Sequence, residues 1–345
     1  MLHAFNADTG GEMWAYVPNM VIPGLSKLAS DTWGVQHTYN VDGSPVTMDA
    51  YDVTAGAWKT VLVGGLNNGG RGYYALDVTD TKNPIGMWEF CSDNKFCQFT
   101  DSDLGETYGN PVITKRAMDG RWVVMFTSGY NNIIPGTGHG YLYVLDLFSG
   151  KLLDKVDTGI GNTTTPSGLS KIAAFAANFF ADNTTTFAYA GDLLGNLWRF
   201  DMSTSPPGLL LMATLKDATG KPQSITTRPE LSIIKGYRVV FVGTGRYLGS
   251  SDLVDPATLS PPEPFAYQQS IYAIKDTNTA YGNPRSTLVQ QTLVDSGGTT
   301  RTISNNPIDF AVQNGWFIDF NPSNSSPGER VNLDPQLVVG ALVVI

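Results

Sequence analysis

A short hairpin motif recurs along the chain and constrains its fold more than any other feature. In residues 2–14 an apolar strand ends at Asn6, a turn containing Asp, Thr and Gly follows, and the chain leads on to Trp14. In the later copies the first strand ends at Asp77, Asp146, Asp201, Asp276 and Asp319. A hairpin that recurs in this way is typical of radial repetition, so the sequence predicts an all-β fold of the β-propeller class.

The spacing of the copies agrees with a propeller that carries insertions. Successive equivalent positions lie 43 to 75 residues apart, whereas a bare four-stranded blade needs roughly 40 to 50 residues. The excess length is expected in surface loops, which tolerate insertions at little thermodynamic cost. Because the repeats continue from end to end without a linker-like segment, we predict a modified β-propeller of about seven blades, in one domain spanning residues 1–345.

Both ends of the chain fall inside a repeated unit. Strand residues follow Met1 at once, and the β-branched run at residues 337–345 stops where a second strand of a blade would lie. We therefore expect an incomplete terminal blade and a fragment of a longer protein. The chain begins without a signal-peptide pattern, and no apolar run reaches the roughly 20 residues that a transmembrane helix needs.

The charge composition excludes one class of partner. The formal net charge is −9, only 15% of residues are charged, and the chain contains 37 Gly and 20 Pro. Nucleic-acid affinity depends on clustered Lys and Arg, and the sequence shows no basic stripe. We therefore expect no nucleic-acid partner and a turn-rich surface.

Two kinds of residue are expected to pack tightly. Trp14 and Trp198 lie in or just after the repeated strand and should be largely buried between blades or beneath a hairpin. Glycine follows the strand before several hairpins, where it permits a positive φ or a close approach of a neighbouring backbone. These glycines are Gly64, Gly65, Gly129, Gly191 and Gly243.

The two cysteines favour a disulfide. Cys91 and Cys97 flank a five-residue loop, and outside the cytoplasm they can close it, with two free thiols as the alternative. A zinc site is disfavoured, since it needs about four ligands and none of the three histidines lies near the pair in sequence.

Long motifs then connect the chain with a known family. They occupy residues 42–45, 60–66, 70–79, 120–124, 189–201, 242–248 and 328–331. The longest is Tyr-Ala-Gly-Asp-Leu-Leu-Gly-Asn-Leu-Trp-Arg-Phe-Asp at residues 189–201. Together these motifs resemble the C-terminal propeller of the PilY1/PilC family of type IV pilus biogenesis and adhesion proteins, over nearly the whole chain.

The resemblance implies a location and partners. It implies an exported protein of a Gram-negative bacterium, at the pilus tip, the cell surface or the outer membrane. It implies minor pilins and the type IV pilus machinery as partners, with host or surface receptors as further ones. The implied role is non-enzymatic, in adhesion and in pilus extension and retraction.

The resemblance also implies a calcium loop just before the strand that contains Tyr189. The family pattern there is Asp-x-Asp-x-Asp-Gly-x-x-Asp, and the corresponding positions are Asn178, Phe180, Asp182, Asn183 and Thr186. Only Asp182 keeps a carboxylate and Asn178 offers a carbonyl, whereas calcium takes six to eight oxygens. We therefore predict an ordinary turn in which Asn178 and Asp182 are the remnant of a metal loop. Calcium is the one cofactor left open.

A second acidic group lies at Asp101, Asp103 and Glu106. Carboxylates in loops are more often solvated than metal ligands. We expect these three to be solvated.

An enzyme is the competing class. Residues 8–14 also resemble the repeat of quinoprotein dehydrogenases, propellers that hold pyrroloquinoline quinone over calcium. Those enzymes need a general base beside the quinone and often an adjacent cysteine pair, whereas Cys91 and Cys97 are six residues apart. The chain also has few histidines and lacks a Gly-x-Ser-x-Gly motif. We therefore expect no enzyme. A quinone-dependent dehydrogenase propeller and a passive binding propeller without a pilus role are the alternatives.

Overall fold

The computed structural model describes residues 1–93, 95–176, 178, 181–260, 262–296, 300–320 and 328–345. Its regular structure is almost entirely β-strand. In the described ranges the helical segments are four short 3-10 helices, at Asn19–Ala29, Ser250–Leu253, Pro256–Thr258 and Pro284–Thr287. Among these residues no helix has the length and apolar character to cross a membrane. The predicted all-β class is confirmed.

The chain divides into two compact units, so the single domain over residues 1–345 stays a prediction. The first unit comprises Met1–Ile172, Ala176–Thr186 and Met202–Pro207. It contains β1 (Leu2–Phe5), β2 (Glu12–Tyr16), β3 (Val46–Asp52), β4 (Ala57–Gly65), β5 (Gly72–Asp77), β6 (Ile85–Cys91), β7 (Phe99–Thr100), β8 (Val112–Arg116), β9 (Trp122–Thr127), β10 (His139–Asp146) and β11 (Leu152–Gly161). Strands β3 to β6, and again β8 to β11, pair in sequence order as antiparallel meanders, which is the arrangement of a propeller blade.

The second unit comprises Ala173–Phe175, Phe187–Asp201 and Gly208–Ile345. Its strands, of which the first two extend across the division, are β12 (Ile172–Ala176), β13 (Thr184–Gly191), β14 (Asn196–Asp201), β15 (Gly208–Thr214), β16 (Glu230–Ile234), β17 (Tyr237–Gly243), β18 (Ser270–Lys275), β19 (Val289–Gln291), β20 (Leu293–Asp295), β21 (Arg301–Ile303), β22 (Gly315–Asp319), β23 (Gln336–Val338) and β24 (Ala341–Val343). Strands β12 to β15 are neighbours in sequence order. Strands β16, β17, β18 and β22 form another antiparallel meander.

The core of the first unit is rich in aromatic rings. Tyr73, Phe90, Phe126 and Tyr143 are all fully or almost fully buried. Tyr73 stacks on Phe126 with ring centroids 4.0 Å apart, and its hydroxyl donates to the carbonyl oxygen of Gly109 at 2.7 Å. Alternate strand residues share one face of a sheet, so the apolar strands place these rings in one layer.

The two tryptophans expected to be buried differ. Trp198 is buried, with 3% of its surface exposed, as predicted. Trp14 is only half-buried; it packs against a cluster that includes Leu62 and Tyr74 and donates to the carbonyl oxygen of Thr81 at 2.9 Å. The prediction was therefore too strong for Trp14, because β1 and β2 form a two-stranded sheet that buries less of its faces than a full meander does.

The glycines after the strands pack as predicted. Gly129 has φ +69°, and a Cβ there would lie 2.0 Å from the carbonyl oxygen of Glu106. A Cβ at Gly191 would lie 2.2 Å from the side chain of Ile225. Added Cβ atoms would likewise come within 3.0 Å of a neighbouring atom at Gly64, Gly65 and Gly243.

The polar residue that ends the repeated strand builds the turn after it. The Asn6 side-chain oxygen accepts hydrogen bonds from the amides of Asp8 and Thr9 at 3.0 and 2.9 Å. Asp77 accepts from the Thr79 amide at 3.0 Å, and Asp146 accepts from the Ser149 amide at 2.9 Å. These are Asx turns. The Asn or Asp that recurs in the sequence motif is therefore explained by the side-chain hydrogen bonds that form these turns.

The predicted disulfide is confirmed: Cys91 and Cys97 are bonded in the loop after β6. Closing a loop this short removes conformations from the unfolded chain and contributes about 2 kcal/mol of stability in the chain-entropy account.

Candidate functional site

The predicted remnant of a metal loop lies beside β8 in the first unit. The carbonyl oxygen of Asn178 accepts hydrogen bonds from the amides of Ala181 and Asp182 at 3.1 and 2.9 Å. Asn178 therefore holds a turn with its backbone. Phe180, at the second Asp of the family pattern, lies outside the described residues.

Asp182 is paired with a cation of the chain itself. Its Oδ1 lies 3.1 Å from Nζ of Lys115, and 59% of its side chain is exposed. Hydrogen bonds from the Thr184 hydroxyl and from Lys115 hold the pKa of Asp182 below its usual value. The carboxylate that would serve calcium is therefore matched by an ammonium group.

Asn183 fastens the same loop to β8. It has φ +50°, and its carbonyl oxygen accepts hydrogen bonds from the Lys115 amide at 3.0 Å and the Thr114 hydroxyl at 2.7 Å. Its side-chain amide donates to the carbonyl oxygen of Ile113 at 3.4 Å. Backbone and amide contacts thus fix Asn183, at the end of this loop, against β8.

The donors that the structure describes in this loop do not fit calcium. One carboxylate paired with Lys115 and one Asn fall short of the six to eight oxygens, several of them charged, that calcium takes. Nor do the described ranges of the chain contain a group of three or more His, Cys, Asp or Glu side chains arranged to hold a metal ion.

The expectation of solvated carboxylates is wrong for two members of the second acidic group. The Nζ of Lys155 lies 2.9 Å from Asp101 and 2.7 Å from Asp103. Asp103 also accepts hydrogen bonds from the Thr137 amide and hydroxyl at 2.8 and 2.9 Å. Burial acts to raise the pKa of Asp103, but the hydrogen bonds from Lys155 and Thr137 outweigh it and leave that pKa lowered.

Glu106, the third member of the acidic group, forms hydrogen bonds through its backbone. Its amide donates to the carbonyl oxygen of Tyr130 at 2.7 Å, and its own carbonyl oxygen accepts from the Tyr130 amide at 3.1 Å. The acidic group is thus part of the framework of the first unit. Its partners lie too far away in the sequence for spacing to reveal them.

A groove at the ends of three hairpins is the site that the sequence did not indicate. It has a volume of about 640 Å³ and lies in the first unit between the β3–β4, β8–β9 and β10–β11 turns. Its lining side chains include Tyr51, Asp52, Asp119, Arg121, Asp146 and Phe148.

The carboxylates of this groove each lie near a cation. Asp52 lies 3.2 Å from Lys59, Asp119 lies 2.7 Å from Arg116, and Asp146 lies 4.0 Å from Arg121. The hydrogen bond from Arg116 lowers the pKa of Asp119. Lys59 and Arg116 are shared with Asp77 and Asp154, at 3.5 and 2.7 Å, so the groove is polar with more carboxylates than cations.

Aromatic rings form one wall of the groove and the ridge behind it. Tyr51 and Trp58 are cross-strand partners on β3 and β4, with ring centroids 5.7 Å apart. Trp58 is 62% exposed and Tyr51 is 39% exposed. Phe148, on the opposite turn, is half-buried. Three turns distant in sequence therefore place aromatic and paired charged groups around one groove.

The fold is that of a β-propeller, and the carboxylates discussed above form turns and ion pairs. A family model described as the PilY1 beta-propeller domain matches residues 1–304. The chain belongs to the PilY1 β-propeller family.

Curated relatives agree with this assignment. The chain is 33% identical over its whole length to a type IV pilus biogenesis factor PilY1 of Pseudomonas aeruginosa, and it covers 32% of that protein. It is 32% identical, over 99% of its length, to a PilY1 homolog of Xylella fastidiosa, of which it covers 23%. The chain thus spans about a third or less of the length of these relatives.

A solved structure agrees as well. The crystal structure of the Pseudomonas aeruginosa PilY1 C-terminal domain superimposes with a TM-score of 0.76 at 28% identity, covering 99% of this chain and 73% of that one. The predicted propeller class and the predicted family are confirmed. The count of about seven blades and the incomplete terminal blade stay predictions.

Proposed function

We propose that this chain acts in type IV pilus biogenesis as a non-enzymatic platform that binds other proteins. The observation that carries the proposal is the family match over residues 1–304, together with relatives named as type IV pilus biogenesis factors. In this role the propeller associates with the pilus machinery and minor pilins and regulates pilus extension and retraction. Adhesion to host or surface receptors at the pilus tip belongs to the same proposal.

Three features of the chain support this role. The Cys91–Cys97 disulfide suits an exported protein, since disulfides persist in oxidising compartments. Loops between sheet strands offer surfaces for partners while the sheets keep them in place. Asp101 and Asp103 are held by Lys155 in the framework of the fold, which suits a structural role for them better than general-base chemistry.

Deletion of the region that encodes residues 1–345 from the full-length gene tests the proposal. The expected result is a large loss of surface pili in electron micrographs and of pilus-dependent motility, restored by the wild-type region. The purified chain should also retain minor pilins in a pull-down. A matched control carries Tyr247→Ala, a change at a half-exposed side chain of the second unit.

Two results would overturn the proposal. Normal pilus number after deletion, with no minor pilin retained, would indicate a passive binding propeller. Quinone absorbance with dye-linked dehydrogenase activity in the purified chain would indicate the quinoprotein class.

A further inference from the structure

The groove between the β3–β4, β8–β9 and β10–β11 turns has the properties of a carbohydrate site, and we propose that it binds a neutral oligosaccharide. This inference stands apart from the proposed role in pilus biogenesis, since it depends only on side chains of the first unit. The aromatic side chains at its edge, the hydrogen-bonding groups, the charges and the size of the groove each point to this class of ligand.

The aromatic side chains at one edge of the groove suit the apolar face of a sugar ring. Tyr51 lines the groove and is 39% exposed, and its cross-strand partner Trp58, just outside the lining, is 62% exposed. A tryptophan left in water forgoes the stabilisation that burial of its apolar surface would give. Exposed aromatic groups of this kind mark binding surfaces, because a ligand can cover the ring while its polar edge stays hydrated.

The hydrogen-bonding groups suit hydroxyls. The guanidinium of Arg121 lies 3.8 Å from Asp119 and 4.0 Å from Asp146, beyond hydrogen-bond distance, and half of its side chain is exposed. Its N–H donors therefore stand beside carboxylate acceptors that have lone pairs to spare. Neighbouring hydroxyls of a sugar both donate and accept, so they can bridge Arg121 and either aspartate.

The charges of the groove disfavour a charged ligand. Its lining has Arg121 beside Asp52, Asp119 and Asp146. Lys59 and Arg116, which pair with Asp52 and Asp119 from outside the lining, are shared with two further aspartates. A sulfated or sialylated glycan would bring its anions close to three carboxylates, and a cationic peptide would face Arg121. An uncharged ligand avoids both costs.

The size of the groove agrees with a short oligosaccharide. A volume of about 640 Å³ lies within the range of small-molecule sites. The groove is also open between turns, so a longer chain can pass through it with two or three sugar rings in contact with the lining.

The test uses the purified chain with its disulfide intact. Binding is measured by calorimetry with lactose, maltotriose, mannotriose and triacetylchitotriose as neutral probes, and with sialyllactose and a heparin disaccharide as charged probes. At least one neutral probe should bind. Tyr51→Ala and Arg121→Ala, both at lining side chains, should each weaken its binding about tenfold, the effect expected of losing one stacking or hydrogen-bonding partner.

Two controls make the result decisive. Tyr247→Ala removes an exposed aromatic side chain of the second unit and should leave binding unchanged, and each variant is checked for an unaltered thermal midpoint. The inference is overturned if every neutral probe fails to bind, or if the charged probes bind more tightly. Equal losses in the control variant, or wild-type binding in both groove variants, would also overturn it.

Discussion

The β13–β14 hairpin of the second unit and the β3–β4 hairpin of the first contain the same kinds of residue and use them differently. In the β13–β14 hairpin Trp198 is 3% exposed, and its Nε1 donates to Oδ2 of Asp192 at 3.1 Å. In the β3–β4 hairpin Trp58 is 62% exposed and stands beside Tyr51. A hairpin motif thus sets the turn, whereas the strands that cover it decide whether its tryptophan stabilises the fold or stays available to a ligand.

The aspartates of the two turns show the same contrast. Asp192 accepts hydrogen bonds from the Leu194 and Asn196 amides at 2.9 and 2.8 Å, yet its complete burial raises its pKa to about 6. Burial also acts to raise the pKa of Asp52, but the Ala55 amide and Lys59 outweigh it, and that pKa is lowered. Similar turn bonds give opposite shifts because the depth of burial and the presence of a lysine differ.

The largest effect is expected when the two tryptophans are truncated. Trp198→Ala should lower the free energy of unfolding by about 3 to 5 kcal/mol, because it leaves a cavity in the core. Trp58→Ala should change it by less than about 0.5 kcal/mol, since an exposed side chain leaves no cavity. Urea denaturation of both variants beside the wild type measures the difference. Equal losses would remove the contrast between the hairpins.

The second effect is the pH dependence that Asp192 imposes. The folded-state pKa of Asp192 is about 6, above the ordinary 3.8. Stabilisation of the fold by its protonated form is therefore complete below pH 3.8 and is lost as the pH rises through about 6. A shift of about two units corresponds to about 3 kcal/mol. Asp192→Asn cannot titrate, so its stability relative to the wild type should rise by up to that amount between pH 4 and pH 7.

Denaturation midpoints at several pH values in this range measure the Asp192 effect. A difference between variant and wild type that stays constant with pH would show that burial does not control this carboxyl group.

The third effect, at Asp52, should have the opposite sign. Because its pKa is lowered, Asp52 contributes stability above its ordinary pKa and loses it as the pH falls through the folded value. Asp52→Ala removes the turn bonds and the pairing with Lys59, and should cost about 1 kcal/mol at neutral pH. Asp52→Asn keeps the turn acceptor and should cost less. If Asp52→Ala lowered the free energy of unfolding by as much at pH 3 as at pH 7, the predicted opposite pH dependence of Asp52 and Asp192 would be wrong.

The smallest effect concerns calcium. Asp182, like Asp52, has a lysine partner, and we predict that neither millimolar calcium nor a chelator shifts the thermal midpoint measurably. Even a weak site would stabilise the native state by RT ln(1 + [L]/Kd). Scanning calorimetry of the wild type and of Asp182→Ala checks this. A calcium-dependent rise that Asp182→Ala abolishes would restore the family's metal loop to this chain.

Local features of the fold could be predicted from the sequence, because the atoms involved are close in the chain. The Asn6 and Asp77 turns depend on amides two or three residues away. The Cys91–Cys97 disulfide likewise joins residues that are only six positions apart in the chain. The family motifs added the propeller class, since they are long enough to identify it.

Features that depend on distant strands could not be predicted. Asp101 and Asp103 are neutralised by Lys155, more than fifty residues away, and spacing gave no sign of that pairing. Trp14 and Trp198 occupy similar motif positions, but their exposure depends on which strands cover them. The groove is missed for the same reason, because three separate turns must meet before it exists.

Lys115 gives the loop around Asp182 a counterion that belongs to the chain itself. Its Nζ lies 3.1 Å from that carboxylate and is covalently attached to β8, so its local concentration is set by the chain and not by the medium. A chelator cannot extract it, and a competing divalent ion must displace an attached group. We therefore expect the loop to respond little to the metal content of its surroundings, and replacement or chemical modification of Lys115 to increase that response.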